Sequence, residues 1–140
     1  FERSRALEFT LPPQVTSVLT FRLKTPGVPY WSRPDLGIDP EDVVFRDGAL
    51  HVRVHSLGSV PSPAATLAFR DRNGRILASA PIPALAAPLD LQPKIAEVIL
   101  ALPFGMPPGA GSVKIDPDGQ LNEITSLNNI VHLHPSSSAP

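Results

Sequence analysis

The chain has 140 residues, 42% of them hydrophobic, with 12 Lys and Arg set against 13 Asp and Glu and a net charge of -1. That length suits one domain of ordinary size plus an extension, and the composition is that of a globular protein rather than a disordered one. Even charge without a basic cluster argues against a nucleic-acid partner, which rewards grouped Lys and Arg. The absence of cysteine excludes disulfides, thiolate nucleophiles and Cys-based zinc sites. No apolar run approaches the ~20 residues that span a bilayer.

Proline is the strongest compositional signal, at 18 residues spread along the chain. Helix interiors reject proline because it lacks the amide donor and clashes with the preceding turn, whereas turns and edge strands accept it. The longest proline-free stretch, 41–60, alternates with period two, so it offers no helix. The expectation is an all-β chain.

In chain order, residues 6–11 and 15–25 predict an N-terminal strand pair. Leu7, Phe9 and Leu11 alternate with polar neighbours, as do Leu19, Phe21 and Leu23. The segment 26–34, Pro-Gly-Val-Pro-Tyr-Trp-Ser-Arg-Pro, reads as a proline-rich linker. Because a lone hairpin is marginal in water, residues 1–25 are expected to dock on the following module, to pair with another chain, or to close an upstream domain. The start at Phe1 fits a segment cut from a longer protein or a processed terminus, and the first is the reading adopted.

From residue 35 strand signals recur at sandwich spacing. Strands are predicted at 43–46, 49–57, 64–71, 76–82, 95–102, 112–116, 120–124 and 130–134. In the second of these, Leu50, Val52 and Val54 face inward while His51, Arg53 and His55 face out; in the third, Ala65, Leu67 and Phe69 share one face. Asp47-Gly48 closes one turn. Asn73-Gly74 signals a tight hairpin, since both residue types tolerate positive φ. Residues 135–140 form a polar tail, and no internal repeat is present.

Three stretches carry a resemblance. They are Leu50-His-Val-Arg-Val-His-Ser-Leu-Gly58, Thr66-Leu-Ala-Phe-Arg-Asp-Arg-Asn-Gly-Arg-Ile-Leu-Ala78, and Ile115-Asp-Pro-Asp-Gly-Gln-Leu-Asn-Glu-Ile-Thr-Ser-Leu-Asn-Asn129. Over 35–134 the chain resembles the cell-adhesion-related bacterial domain family, CARDB. The last stretch is the specific one; in the first, Ser56 stands at the family's usual asparagine position. The resemblance implies an immunoglobulin-like antiparallel β-sandwich appended to a large exported bacterial protein, with a structural or adhesive role. Extracellular, periplasmic or cell-surface location follows from the same resemblance.

Candidate site residues fall in three groups. Asp116, Asp118, Asn122, Glu123 and Asn128 supply the hard oxygen donors that calcium takes, although their spacing is not that of an EF-hand loop. The alternative is structural: Asp116 accepts amides across the Pro-Asp-Gly turn, and Asn128 and Asn129 satisfy amides where the chain changes direction. His51 and His55 share one strand face and His132 and His134 another, so each pair is either solvated or a partial zinc site. Tyr30 and Trp31 beside Arg33 either stack on a sugar ring or anchor the junction between linker and sandwich.

Catalytic signatures are missing: no Gly-x-Ser-x-Gly elbow, phosphate loop or His-Glu-x-x-His helix occurs. The function expected is a non-catalytic accessory module that spaces domains, docks a neighbouring domain or a second copy, or assists adhesion. A carbohydrate-binding module using Tyr30, Trp31 and Arg33, and a non-catalytic subdomain of an upstream enzyme, are the alternatives.

Overall fold

The computed structural model describes residues 27–103 and 109–134, together with Thr10, Pro13, Gln14, Thr16 and Val18. The expected strand pair at 6–25 and the tail at 135–140 lie outside the described residues, apart from those isolated positions. Among the described residues there are eight strands: β1 (Leu36–Gly37), β2 (Val43–Arg46), β3 (Ala49–Ser56), β4 (Ala65–Asp71), β5 (Ile76–Ile82), β6 (Lys94–Ala101), β7 (Gly111–Ile115) and β8 (Ile130–Leu133).

They form an antiparallel two-sheet sandwich. In the first sheet β3 is central: β6 pairs along its whole length on one side, while β1 and β2 share the other. The second sheet runs β5-β4-β7-β8. Period-two patterning sets the packing. Leu50, Val52 and Val54 of β3 and Ala96, Val98 and Leu100 of β6 meet Leu67, Phe69, Val113, Ile115 and Val131 from the opposite sheet. Each Leu, Val or Phe taken fully from water contributes about 1.5–3 kcal/mol. That apolar layer holds the sheets together without disulfides.

The turns separate what local chemistry decides from what it does not. At Asp47-Gly48 both residues have positive φ, 51° and 76°, the two-residue hairpin geometry that brings Arg46 opposite Ala49. At Asn73-Gly74 only Gly74 is left-handed, at φ 80°. There the Asp71 carboxylate accepts the Asn73 and Arg75 amides, at 2.8 and 2.9 Å, and a bulge shifts the ladder between Phe69 and Arg70.

The strand expected at 120–124 does not form. Asp116, itself at φ 45°, captures the amides of Gln120 and Leu121 on its two carboxylate oxygens, so those donors never reach a neighbouring strand. The Ile124 amide goes to the Pro34 carbonyl. Residues 116–129 are instead a long loop that folds back over the end of the sandwich.

Residues 30–32 of the linker make a 3-10 turn, with the Ser32 amide on the Pro29 carbonyl. The chain then lies directly on Gly58: a Cβ there would sit 2.6 Å from the Asp35 nitrogen and 2.9 Å from the Arg33 carbonyl oxygen. Glycine is required at this crossing by close backbone approach, whatever stands two residues before it.

Candidate functional site

The densest polar cluster lies where the loop 116–129 meets the first residues of the sandwich. Asp35, Asp116 and Asn129 are buried there, and Glu123 and Asn128 are half-buried. Glu123 spans the junction. One carboxylate oxygen accepts the Leu36 amide at 3.0 Å, and the other accepts the side-chain amide of Asn129. Asp35 works in the reverse direction, its carboxylate taking the Asn128 side-chain amide and its carbonyl taking the Leu57 and Gly58 amides. The Asn128 carbonyl accepts the Ile38 amide, and the Asn129 carbonyl accepts that of Ile115. The pair Asn128-Asn129 thus ties the loop to both sheets at once.

Burial pushes the Glu123 carboxyl above its ordinary range, and repulsion from Asp35 and Asp116 adds to it; the Leu36 and Asn129 donors only partly offset this. Two amide oxygens in the cluster, Asn128 Oδ1 and Asn129 Oδ1, are buried and accept no hydrogen bond among the described residues. An open cavity of about 460 Å³ is bordered by Lys114, Asp116, Asn122, Glu123, Thr125 and Asn129 among others.

Of the oxygen donors singled out from sequence, Asp116, Asn122 and Glu123 border this cavity. Asp118 is exposed on the adjoining turn, and Asn128 is turned to Asp35. Asp116 does accept amides across its turn, at 3.0 and 2.7 Å. Among the described residues no three His, Asp or Glu side chains converge closely enough to hold a metal ion by themselves.

A second polar cluster covers the outer face of the first sheet. His51 Nδ1 lies 2.9 Å from Glu97, which also takes Arg46 at 2.7 Å, bridging β2, β3 and β6. His55 Nε2 lies 3.0 Å from Asp42, which Arg53 meets at 3.1 Å. The two imidazoles therefore serve different carboxylates rather than one ion, and neither is freely solvated, their side chains being 15% and 29% exposed. His51 hydrogen-bonding holds the Glu97 carboxyl below its ordinary range, with the Arg46 and His51 charges reinforcing it. For Asp42, burial pushes upward, but bonds to His55 and the Asp39 amide and the charges of His55 and Arg53 outweigh it and hold the group low. His132 and His134 are exposed on β8 and just beyond it.

Around this ion-paired strip stand exposed apolar side chains. Strand register sets Ile99 and Val44 opposite His51 from its two sides, and Ile95 opposite His55. Val44, Ile95 and Ile99 are between 42% and 54% exposed. Trp31 is exposed on the 3-10 turn, its carbonyl accepting the Ser59 hydroxyl. The Arg33 guanidinium folds back on the Val28 carbonyl with two bonds, at 3.0 and 2.8 Å.

Asp35, Asp42 and Glu97 were not singled out from sequence. Asp35 acts on residues 90 and 93 positions away, a separation no local pattern encodes. No family model, curated protein or solved structure matches the chain.

Proposed function

We propose that the chain is a non-catalytic accessory module of a larger exported bacterial protein, acting in domain spacing, docking or adhesion. The observation that carries this reading is the state of β6. Among the described residues it pairs only with β3, and it runs eight residues without a proline or a bulge. Its outward face presents Ile95 and Ile99 on either side of Glu97. A regular edge strand flanked by apolar side chains is a template for strand addition by another sheet. The described carboxylates and imidazoles support the non-catalytic side of the reading. Glu97, Asp42, Asp116 and Glu123 each hold backbone amides or basic side chains in place. The CARDB resemblance over 35–134 supplies the exported, adhesive context.

Light scattering on the full chain, on a chain starting at Arg33, and on the full chain carrying I95K and I99K tests this. Dimer formation lost in either altered chain supports association through β6 or the N-terminal segment. Monomers throughout remove this face as a self-association surface.

A second reading, a carbohydrate-binding module, draws on the exposure of Trp31 beside Arg33. Trp31→Ala that loses retention on immobilised polysaccharide at unchanged melting temperature supports it, and unchanged retention removes it.

A further inference from the structure

We propose that the outer face of the second sheet holds a phosphate-type oxyanion, in a trough walled by Arg70 and Arg72 on one side and by His132 and His134 on the other. This trough and the β6 face lie on different sheets, and its failure leaves the docking reading untouched.

Strand register builds the trough. β4, β7 and β8 are neighbours, and their pairing sets Arg70 opposite Ser112 and Ser112 opposite His132. These three alternate with the buried Phe69, Val113 and Val131, so they share the outward face. Two residues further along, Arg72, Ala110 and His134 border the same cavity, of about 480 Å³. β4 and β8 stand two strand spacings apart, roughly 9–10 Å. Guanidinium groups therefore flank one side and imidazoles the other, while the chain between them brings the small residues Ala110, Gly111 and Ser112. Small residues between large ones leave the hollow.

The charge on this face is uncompensated. Ion pairs of the described residues engage Arg46, His51, Arg53, His55 and Lys94, all in the first sheet. Arg70, Arg72, Lys114 and the two histidines take part in none of them. Asp71 is the one acidic residue in the four strands of the second sheet, and its carboxylate holds the Asn73 and Arg75 amides of its own turn. Lys114, two residues along β7 from Ser112, adds positive charge to the same face. Arg70 Nε is enclosed and has no acceptor among the described residues, which leaves the Nη end of the guanidinium to serve the cavity. No run of Lys and Arg announces this cluster in the sequence, because pairing assembles it from three separate segments.

The donors select the ligand. Guanidinium forks match phosphate oxygens in pairs, and imidazole N–H and hydroxyl groups donate as well. Donors on two walls and a floor suit a tetrahedral group with oxygens on every side. A carboxylate presents two oxygens in one plane and engages one wall. Two guanidiniums also balance a dianion, which a carboxylate is not.

Amide NMR titration of the full chain tests the site, with sodium phosphate set against sodium chloride at equal ionic strength and chelator present to exclude bridging metal. Glycerol phosphate and acetate are the comparison ligands. The expected result is saturable shifts confined to 70–74, 110–112 and 132–134, with a dissociation constant of about 1 mM for phosphate and binding at least about tenfold weaker for acetate. Tighter binding of glycerol phosphate assigns the site to a phosphomonoester, and equal binding assigns it to the phosphate group alone. Arg70→Gln and Arg72→Gln should each weaken phosphate binding about tenfold, whereas Arg53→Gln in the first sheet should leave it unchanged. Dispersion of the amide spectrum reports folding, and Arg72 is exposed beyond the ladder, so its variant keeps the test decisive if Arg70→Gln unfolds. Shifts that do not saturate by about 20 mM phosphate overturn the proposal. So does acetate binding as tight as that of phosphate, or undiminished binding by folded Arg72→Gln.

Discussion

Glu123 accepts the backbone amide of Leu36 at 3.0 Å across 87 residues of sequence, joining the last long loop of the sandwich to its first strand. The same carboxylate holds the Asn129 side chain, so Glu123 adds two bonds to those that Ile124 and Asn128 make between the loop and residues 34–38. Removing it strands two donors in a half-buried site. Glu123→Ala should therefore destabilise the fold by about 1–3 kcal/mol, read from the urea midpoint at unchanged slope. Glu123→Gln should lose much less. Its amide oxygen still accepts from Leu36, and its nitrogen can donate to Asn129 Oδ1 once that amide flips. An equal loss in both variants would show that the negative charge, rather than the hydrogen-bond geometry, does the joining.

Acid dependence follows from two carboxyls shifted in opposite directions. Asp42 is held below its ordinary 3.8, so its contribution is present above that value and is lost as pH falls through the lower folded value. Glu123 is raised above 4.5, so its ionisation costs stability as pH rises from 4.5 through the raised value. Asp42→Asn should flatten the acid limb of a melting-temperature profile, and Glu123→Gln should remove the decline on the higher side. A profile in which the two variants exchange these effects would contradict both shifts.

Gly58 sits under the segment that brings the chain into β1. A side chain there would meet backbone atoms of Arg33, Pro34 and Asp35 at 2.6–2.9 Å, and none of these is the free end of a flexible group. Gly58→Ala should cost about 1–3 kcal/mol through overpacking, measured by thermal denaturation. Gly74→Ala, at an open turn with φ 80°, should cost about 1 kcal/mol through backbone strain alone. If Gly58→Ala proves the milder of the two, the crossing has room that its geometry does not show.

Alternation made the sandwich legible. β5 occupies the residues its pattern predicts, Ile76–Ile82, and β3 ends at Ser56, one residue short of expectation. The loop 116–129 was legible in composition but not in path. Gln120 to Ile124 has the residues of a strand, yet Asp116 takes two of its amides and Pro34 a third. β1 is only two residues long and leaves no periodic trace. The acidic donors were visible as residue types. Their sorting into Asp116 and Glu123 at the cavity, Asp118 in solvent and Asn128 on Asp35 depends on contacts far apart in sequence. The histidines show the same limit: period two placed His51 and His55 on one face, but their partners Glu97 and Asp42 come from other segments.

The β6 face gives the sharpest separation of stability from association. Ile95 and Ile99 point outward and contribute little to the core, whereas Val98 between them is buried. Lysine at 95 and 99 should change the stability of the monomer by no more than about 0.5 kcal/mol, as surface substitutions do. Val98→Ala should cost about 1–3 kcal/mol by opening a cavity. If the face docks another sheet, the lysine pair weakens self-association or binding of an adjoining domain by at least tenfold in sedimentation velocity, while Val98→Ala affects association only through lost fold. The converse pattern, with association insensitive to the lysines, would move the contact away from β6. The second-sheet edge strand β5, with Ile76 exposed, would then be the surface to substitute next.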